Sequence, residues 1–126
     1  MTLVLDAGAL IAVERGDRTI AALLKRERRA GRPPVSHGGV VGQVWRGGSG
    51  RQENLAKFLA GVNIVPLDDR LGRRAGVLLG RTATGDVIDA AVVLLADHDD
   101  QILTSDVNDL TDLAVAAGID IELVPI

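Results

Sequence analysis

The 126-residue chain predicts an α/β protein, a three-layer sandwich with a mainly parallel central sheet. Three observations lead there. Short apolar runs of strand character alternate with longer segments of helical periodicity. The segments between them are long enough to carry helical crossovers, which parallel strands require. Apolar residues make up 47% of the chain, which argues for a folded core and against disorder.

The elements follow in order. "TLVLD" has strand character and leads into a short helix near 9–15. Asp17 is placed to cap "RTIAALLKRERR", whose Ile20, Leu23 and Leu24 share one face while Lys and Arg occupy the other. Gly31 ends that helix, and the Pro-led "PPVS" predicts either an edge strand or a brief buried one. Helices are expected near 38–47 and 51–60, with "GGSG" turning between them. "NIVPL" is strand-like, and 68–80 is helical with Leu71, Ala75, Leu78 and Leu79 facing inward. "TATGD" introduces a helix over about 86–98, and "QILTS" is the next strand. "NDLTDLAVAAG" forms a helix closed by Gly118, and "IDIELVPI" supplies the last strand. Repeats, low-complexity tracts and a dividing linker are absent, so residues 1–126 are expected to form a single domain.

Composition excludes several classes of function. Trp45 and Phe58 are the only aromatic residues, too few for a stacking reader of single-stranded nucleic acid. Without cysteine there is neither a disulfide framework nor a thiolate metal site, and the cytoplasm is the expected location. The start lacks the basic region of a signal peptide, and Asp6 interrupts its apolar run. The apolar stretch from Ala90 to Ala96 is too short to span a bilayer, so no membrane association is expected. Net charge is −3, unevenly spread: residues 1–62 hold ten Lys/Arg against five Asp/Glu, and residues 63–126 hold four against twelve. That asymmetry permits a polyanion-facing surface beside an acidic site. "KRERRAGR" at 25–32 is the densest basic run, either a solvated helix end or a surface for substrate or partner.

The acidic residues carry the chemical signal. Asp6 and Asp106 each follow a strand, where open parallel sheets bind ligands. Each alone is also a plausible N-cap. Together they place two carboxylates on one edge. Asp89 lies in "DVIDAAVVLLA", surrounded by apolar residues, where an unpaired carboxylate is costly unless a cation or hydrogen-bonding partner compensates. Asp86, three residues earlier, faces the same way and serves as a first-turn cap or a contributor to the site.

With these positions assembled, the chain resembles a PIN domain, specifically the single-domain VapC ribonuclease toxins of type II toxin–antitoxin pairs. The segments that carry the resemblance are "LVLDAGALI", "VVGQVWR", "VIDAAVVLLA" and "ILTSDVNDL", in that order and across essentially the whole chain. The resemblance implies metal-site acids at Asp6, Asp89 and Asp106, with Asp109 replacing or supporting Asp106. One position departs from the pattern: Gln43 stands where the family has glutamate. Glutamine offers an oxygen without the charge, so two-metal neutralisation would be weaker. Glu14 and Glu53 are the conceivable substitutes.

The implied activity is Mg²⁺- or Mn²⁺-dependent hydrolysis of RNA phosphodiester bonds. The implied partners are an RNA substrate, a small antitoxin bound near helices 9–29 and 38–60, and a second copy of the chain. Direct sequence-specific DNA binding is not expected. Arg46, Thr104 and Ser105 are the candidate substrate contacts, each with a local structural alternative. His37 and His98 lack metal-ligand spacing and are expected to pack or face solvent. The alternative function is a weakened PIN domain acting through antitoxin or RNA binding, which Gln43 supports. A receiver-like domain is disfavoured, because the only lysines, Lys25 and Lys57, come early and Asp6 has no paired acid. "DAG" likewise lacks the Asp-x-Asp of a haloacid-type phosphatase. "GGVVG" and "GGSG" do not match a phosphate-binding glycine loop.

Overall fold

A computed structural model describes residues 1–48, 50–83 and 85–126. Ser49 in the expected "GGSG" turn and Thr84 in "TATGD" lie outside the described residues. The elements run β1 (Leu3–Leu5), α1 (Ala7–Glu14), α2 (Arg18–Arg29), β2 (Val35–His37), α3 (Gly38–Val44), α4 (Glu53–Leu59), β3 (Asn63–Val65), α5 (Asp69–Leu79), α6 (Val87–Leu95), β4 (Gln101–Thr104), α7 (Val107–Ala117) and β5 (Glu122–Pro125).

The strands form one all-parallel sheet in the order β3-β2-β1-β4-β5. The chain winds outward from β1 to β3, then crosses back to lay β4 on the other side of β1. This reversal makes a crevice at the carboxyl ends of β1 and β4, where such sheets bind ligands. β1 is wholly buried (Leu3, Val4 and Leu5), as a central parallel strand must be.

Helices cover the sheet in two groups. α1 packs against α2, α3 and α4, while α5, α6 and α7 pack on one another, and both α1 and α6 contact β1. α6 fills the core with Ala90, Ala91, Val92 and Val93, all fully buried. Small residues there let the helix approach α5 and the sheet closely. α5 buries Leu71, Ala75 and Leu78, and α7 buries Leu110, Leu113 and Ala114.

Local signals set most boundaries. Asp17 caps α2 through the Ile20 N–H at 3.0 Å, and Asp68 caps α5 through the Leu71 N–H at 3.0 Å. Gly118 closes α7 with φ +68°, a left-handed conformation that costs glycine nothing. Within α2, Glu27 is buried and pairs with Arg32 Nε at 2.8 Å. Part of the basic run 25–32 is therefore structural.

Of the two readings of "PPVS", the buried one holds: β2 is an interior strand between β1 and β3, and Pro34 stands just before it, where it loses no ladder donor. The Pro34 carbonyl instead accepts the Asn63 N–H at 2.8 Å and seats β3. α3 ends at Val44, short of residue 47, because Trp45 is extended (ψ 129°). Among the described residues no helix is long and apolar enough to cross a membrane.

Candidate metal centre

The first strand delivers Asp6 to the crevice. Its backbone N–H bonds the Leu103 carbonyl at 3.1 Å, extending the β1–β4 ladder to the carboxyl edge. The side chain is only 5% exposed. Its Oδ1 accepts the Ala7 N–H at 2.7 Å, and its Oδ2 accepts the Thr104 hydroxyl at 2.9 Å. The buried carboxylate is thus held in one orientation.

Gly8 permits this closeness. A Cβ at that position would lie 2.7 Å from Ser105 Oγ and 3.0 Å from the Ser105 nitrogen, so the first turn of α1 meets the β4–α7 loop only without a side chain. Ser105 is itself exposed.

The fourth strand delivers Asp106. It occupies the N-cap position of α7, yet its side chain makes no capping hydrogen bond, so the bland capping role fails here. Its N–H instead bonds Thr104 Oγ1 at 2.8 Å. Asp86 does behave as a cap: its Oδ1 accepts the Asp89 N–H at 2.9 Å.

Asp89, Asp106 and Asp109 converge from α6 and α7. Each is half-buried and offers one carboxylate oxygen, all within 4.8 Å of one another. Asp6 lies outside this 4.8 Å group but close enough for its charge to act on Asp89. Burial, then the charges of Asp86, Asp6, Asp106 and Asp109, push the Asp89 carboxyl up to about 6. The charge of Asp106, foremost, raises the Asp109 carboxyl as well. The ion pairs among the described residues are Arg32–Glu27, Lys57–Glu53 and Arg73–Asp69, none of which touches this cluster. Hard oxygen donors, crowded and without a basic partner, match the preferences of Mg²⁺ or Mn²⁺.

The remaining candidates have varied surroundings. Gln43 is exposed on α3, and its carbonyl accepts Arg46 Nη2 at 3.0 Å. Arg46 Nη1 also bonds the carbonyls of Gly42 at 3.1 Å and Trp45 at 2.8 Å, so its guanidinium closes the end of α3. Thr104 is fully buried and serves carboxylate and backbone. Glu14 is engaged elsewhere, accepting Gln52 Nε2 at 2.6 Å, and exposed Glu53 pairs with Lys57. His98 is exposed and accepts the Asp120 N–H at 3.1 Å.

Gln52 takes a structural part that sequence reasoning missed, and His37 packs, as expected, through hydrogen bonds that it did not foresee. Gln52 is nearly buried and uses both ends of its amide: Nε2 donates to Glu14 and to the Val44 carbonyl, while Oε1 accepts the Arg46 and Gly47 N–H groups. It ties the α3–α4 connection to α1. His37 is fully buried beside the site, with hydrogen bonds at both ring nitrogens. Burial lowers its pKa, against the raising effects of the Ile88 carbonyl and Asp6.

The five parallel strands, their order and the two helical layers define a mixed α/β fold of the PIN-like kind. The fold is similar to that of a chain in the crystal structure of VapBC2 from Rickettsia felis bound to a DNA fragment from their promoter. The TM-score is 0.70 at 12% sequence identity, covering 98% of this chain and 99% of that one. At that identity the likeness is one of fold. No protein-family model matches the sequence, and no curated protein matches it in sequence.

Proposed function

We propose that the chain is the toxin component of a type II toxin–antitoxin pair, a Mg²⁺- or Mn²⁺-dependent endoribonuclease. The observation that carries this reading is the convergence of Asp89, Asp106 and Asp109 within 4.8 Å, beside the buried Asp6, at the topological reversal of the sheet. Asp89, Asp106 and Asp109 would hold the ion, with Asp6 adding charge and fixing the strand end through Thr104. When bound, a divalent ion supplies Lewis-acid chemistry: it withdraws charge from the phosphodiester and favours ionisation of an attacking water. The protein's own part is to orient the acids and to offer half-buried carboxylates that can accept a proton. Exposed Ser105 is placed to contact a phosphate at the rim.

The partner is a small antitoxin, in keeping with the toxin–antitoxin complex whose fold this chain shares. Val13, Ala21 and Phe58 line a groove flanked by Lys25, Arg28 and Lys57, which suits an amphipathic helix with acidic edges. The active form is a homodimer in the cytoplasm.

The test is cleavage of a mixed RNA by the purified chain with Mn²⁺, with EDTA, and in an Asp106→Asn variant. Cleavage that needs Mn²⁺ and Asp106 is expected. Cleavage that persists in EDTA would overturn the metal-dependent reading. The exposed, uncharged Gln43 favours a second reading, a weakened nuclease acting by binding. Mn²⁺ and antitoxin binding without RNA cleavage would establish it.

A further inference from the structure

His37 stands where the sheet, α3 and α6 meet. Val4 pairs with Val35 and Leu5 with Leu103, so continuing the register sets His37 and Thr104 on either side of Asp6. The imidazole is fully buried. Its Nδ1 accepts the Gly39 N–H at 3.0 Å and therefore carries no proton. The proton belongs on Nε2, which donates to the Ile88 carbonyl at 3.0 Å. Gly39 presses on the same ring: a Cβ there would come 2.8 Å from Cε1 and 3.0 Å from Nδ1. The ring is fixed from one side by α3 and reaches α6 with the other.

Ile88 immediately precedes Asp89 in the first turn of α6. The body of that helix is anchored by burial of Ala90 to Val93, whereas Val87 at its start is 41% exposed. Packing therefore fixes the body more firmly than the turn that carries the acid. We propose that His37 is a positioning residue: its Nε2–H holds the Ile88 carbonyl, so that Asp89 stays within reach of Asp106 and Asp109. This inference rests on the metal-centre reading given above. Sites lose affinity when the elements that carry their ligands drift by an ångström or so, because the lost orientation must be restored on binding.

The test is Mn²⁺ titration calorimetry on the wild-type chain, His37→Phe and His37→Gln, with thermal unfolding to confirm that each is folded. Phenylalanine fills the space without a donor, and glutamine keeps an N–H at similar reach. Should the phenylalanine variant not fold, His37→Met takes its place as a donor-free, adaptable side chain. We expect Mn²⁺ affinity about tenfold weaker in the donor-free variant and within about threefold of wild type in His37→Gln. No Mn²⁺ binding by the wild-type chain would overturn the metal-centre reading and this role with it. Wild-type binding matched by the donor-free variant would overturn the role of His37 alone. Equal losses in both variants would make the residue a volume filler and also overturn it.

Discussion

Thr104 donates its hydroxyl proton to Asp6 Oδ2 at 2.9 Å while its oxygen accepts the Asp106 N–H at 2.8 Å. One buried hydroxyl thus couples the carboxylate after β1 to the backbone of the acid after β4. Valine has the same shape and cannot make either bond. Thr104→Val should destabilise the fold by about 2 kcal/mol, because it leaves a buried carboxylate oxygen and an amide without partners. Urea denaturation checks the stability, and Mn²⁺ affinity should fall in parallel as Asp6 and Asp106 lose their common tether.

The raised Asp89 carboxyl gives a pH dependence of definite sign. Its folded pKa of about 6 exceeds the ordinary 3.8, so the folded chain holds the proton more tightly than the unfolded chain between those values. In metal-free buffer, stability should rise as pH falls from about 7 towards 4, and should be lost as pH climbs through 6. The expected contribution is about 1 kcal/mol once solvent screening of the half-exposed group is allowed for. Asp89→Asn should lack this component, so the difference between the two chains at pH 5 and pH 7.5 is the readout. Parallel stability curves would remove Asp89 as the titrating group. Mn²⁺ binding should run the other way and weaken below about pH 6, because the ion competes with the proton.

Gln43→Glu should strengthen Mn²⁺ binding several-fold and raise RNA cleavage at subsaturating metal. A carboxylate on this exposed side chain that reaches the ion adds negative charge worth about 1 kcal/mol at partial screening. Calorimetry of both chains measures the first step, and cleavage of one RNA measures the second. Equal affinity would place residue 43 outside the reach of the ion.

Gly8→Ala should cost about 1–3 kcal/mol, since the new methyl would lie 2.7 Å from Ser105 Oγ and 3.0 Å from backbone. The loop that carries Asp106 must then retreat from Asp6, so the variant should bind Mn²⁺ less tightly even where it is fully folded. Urea denaturation and calorimetry separate the two losses. Unchanged stability and affinity together would show that the loop yields freely.

Legibility of the sequence depended on how local each determinant is. α2 was legible to its ends, because its cap, its apolar face and its terminating glycine all lie within the segment Asp17–Gly31. Asp6, Asp89 and Asp106 could be singled out because burial or strand-end placement makes a carboxylate conspicuous. The role of Gln52 and the hydrogen bonds of His37 were not legible. Their partners, Glu14 at 38 residues' distance and Ile88 at 51, come near only after the sheet has formed. In the sequence Asp109 is visible only as a neighbour of Asp106. Its convergence with Asp89 depends on how α6 packs against α7. β2 was ambiguous between edge and interior, since a three-residue strand says nothing about what will flank it.

The strand order also dictates when the centre can exist. β1 precedes the other strands of this sheet, yet its partner on one side, β4, lies 98 residues later, as the Thr104–Asp6 hydrogen bond measures. During translation that side of β1 stays an open edge, and closing so long a loop is slow relative to local helix formation. Asp106 emerges long after Asp6, because β2, β3 and β4 all lie between them. The acids therefore meet at the end of folding, and a chain arrested before β4 carries no assembled centre.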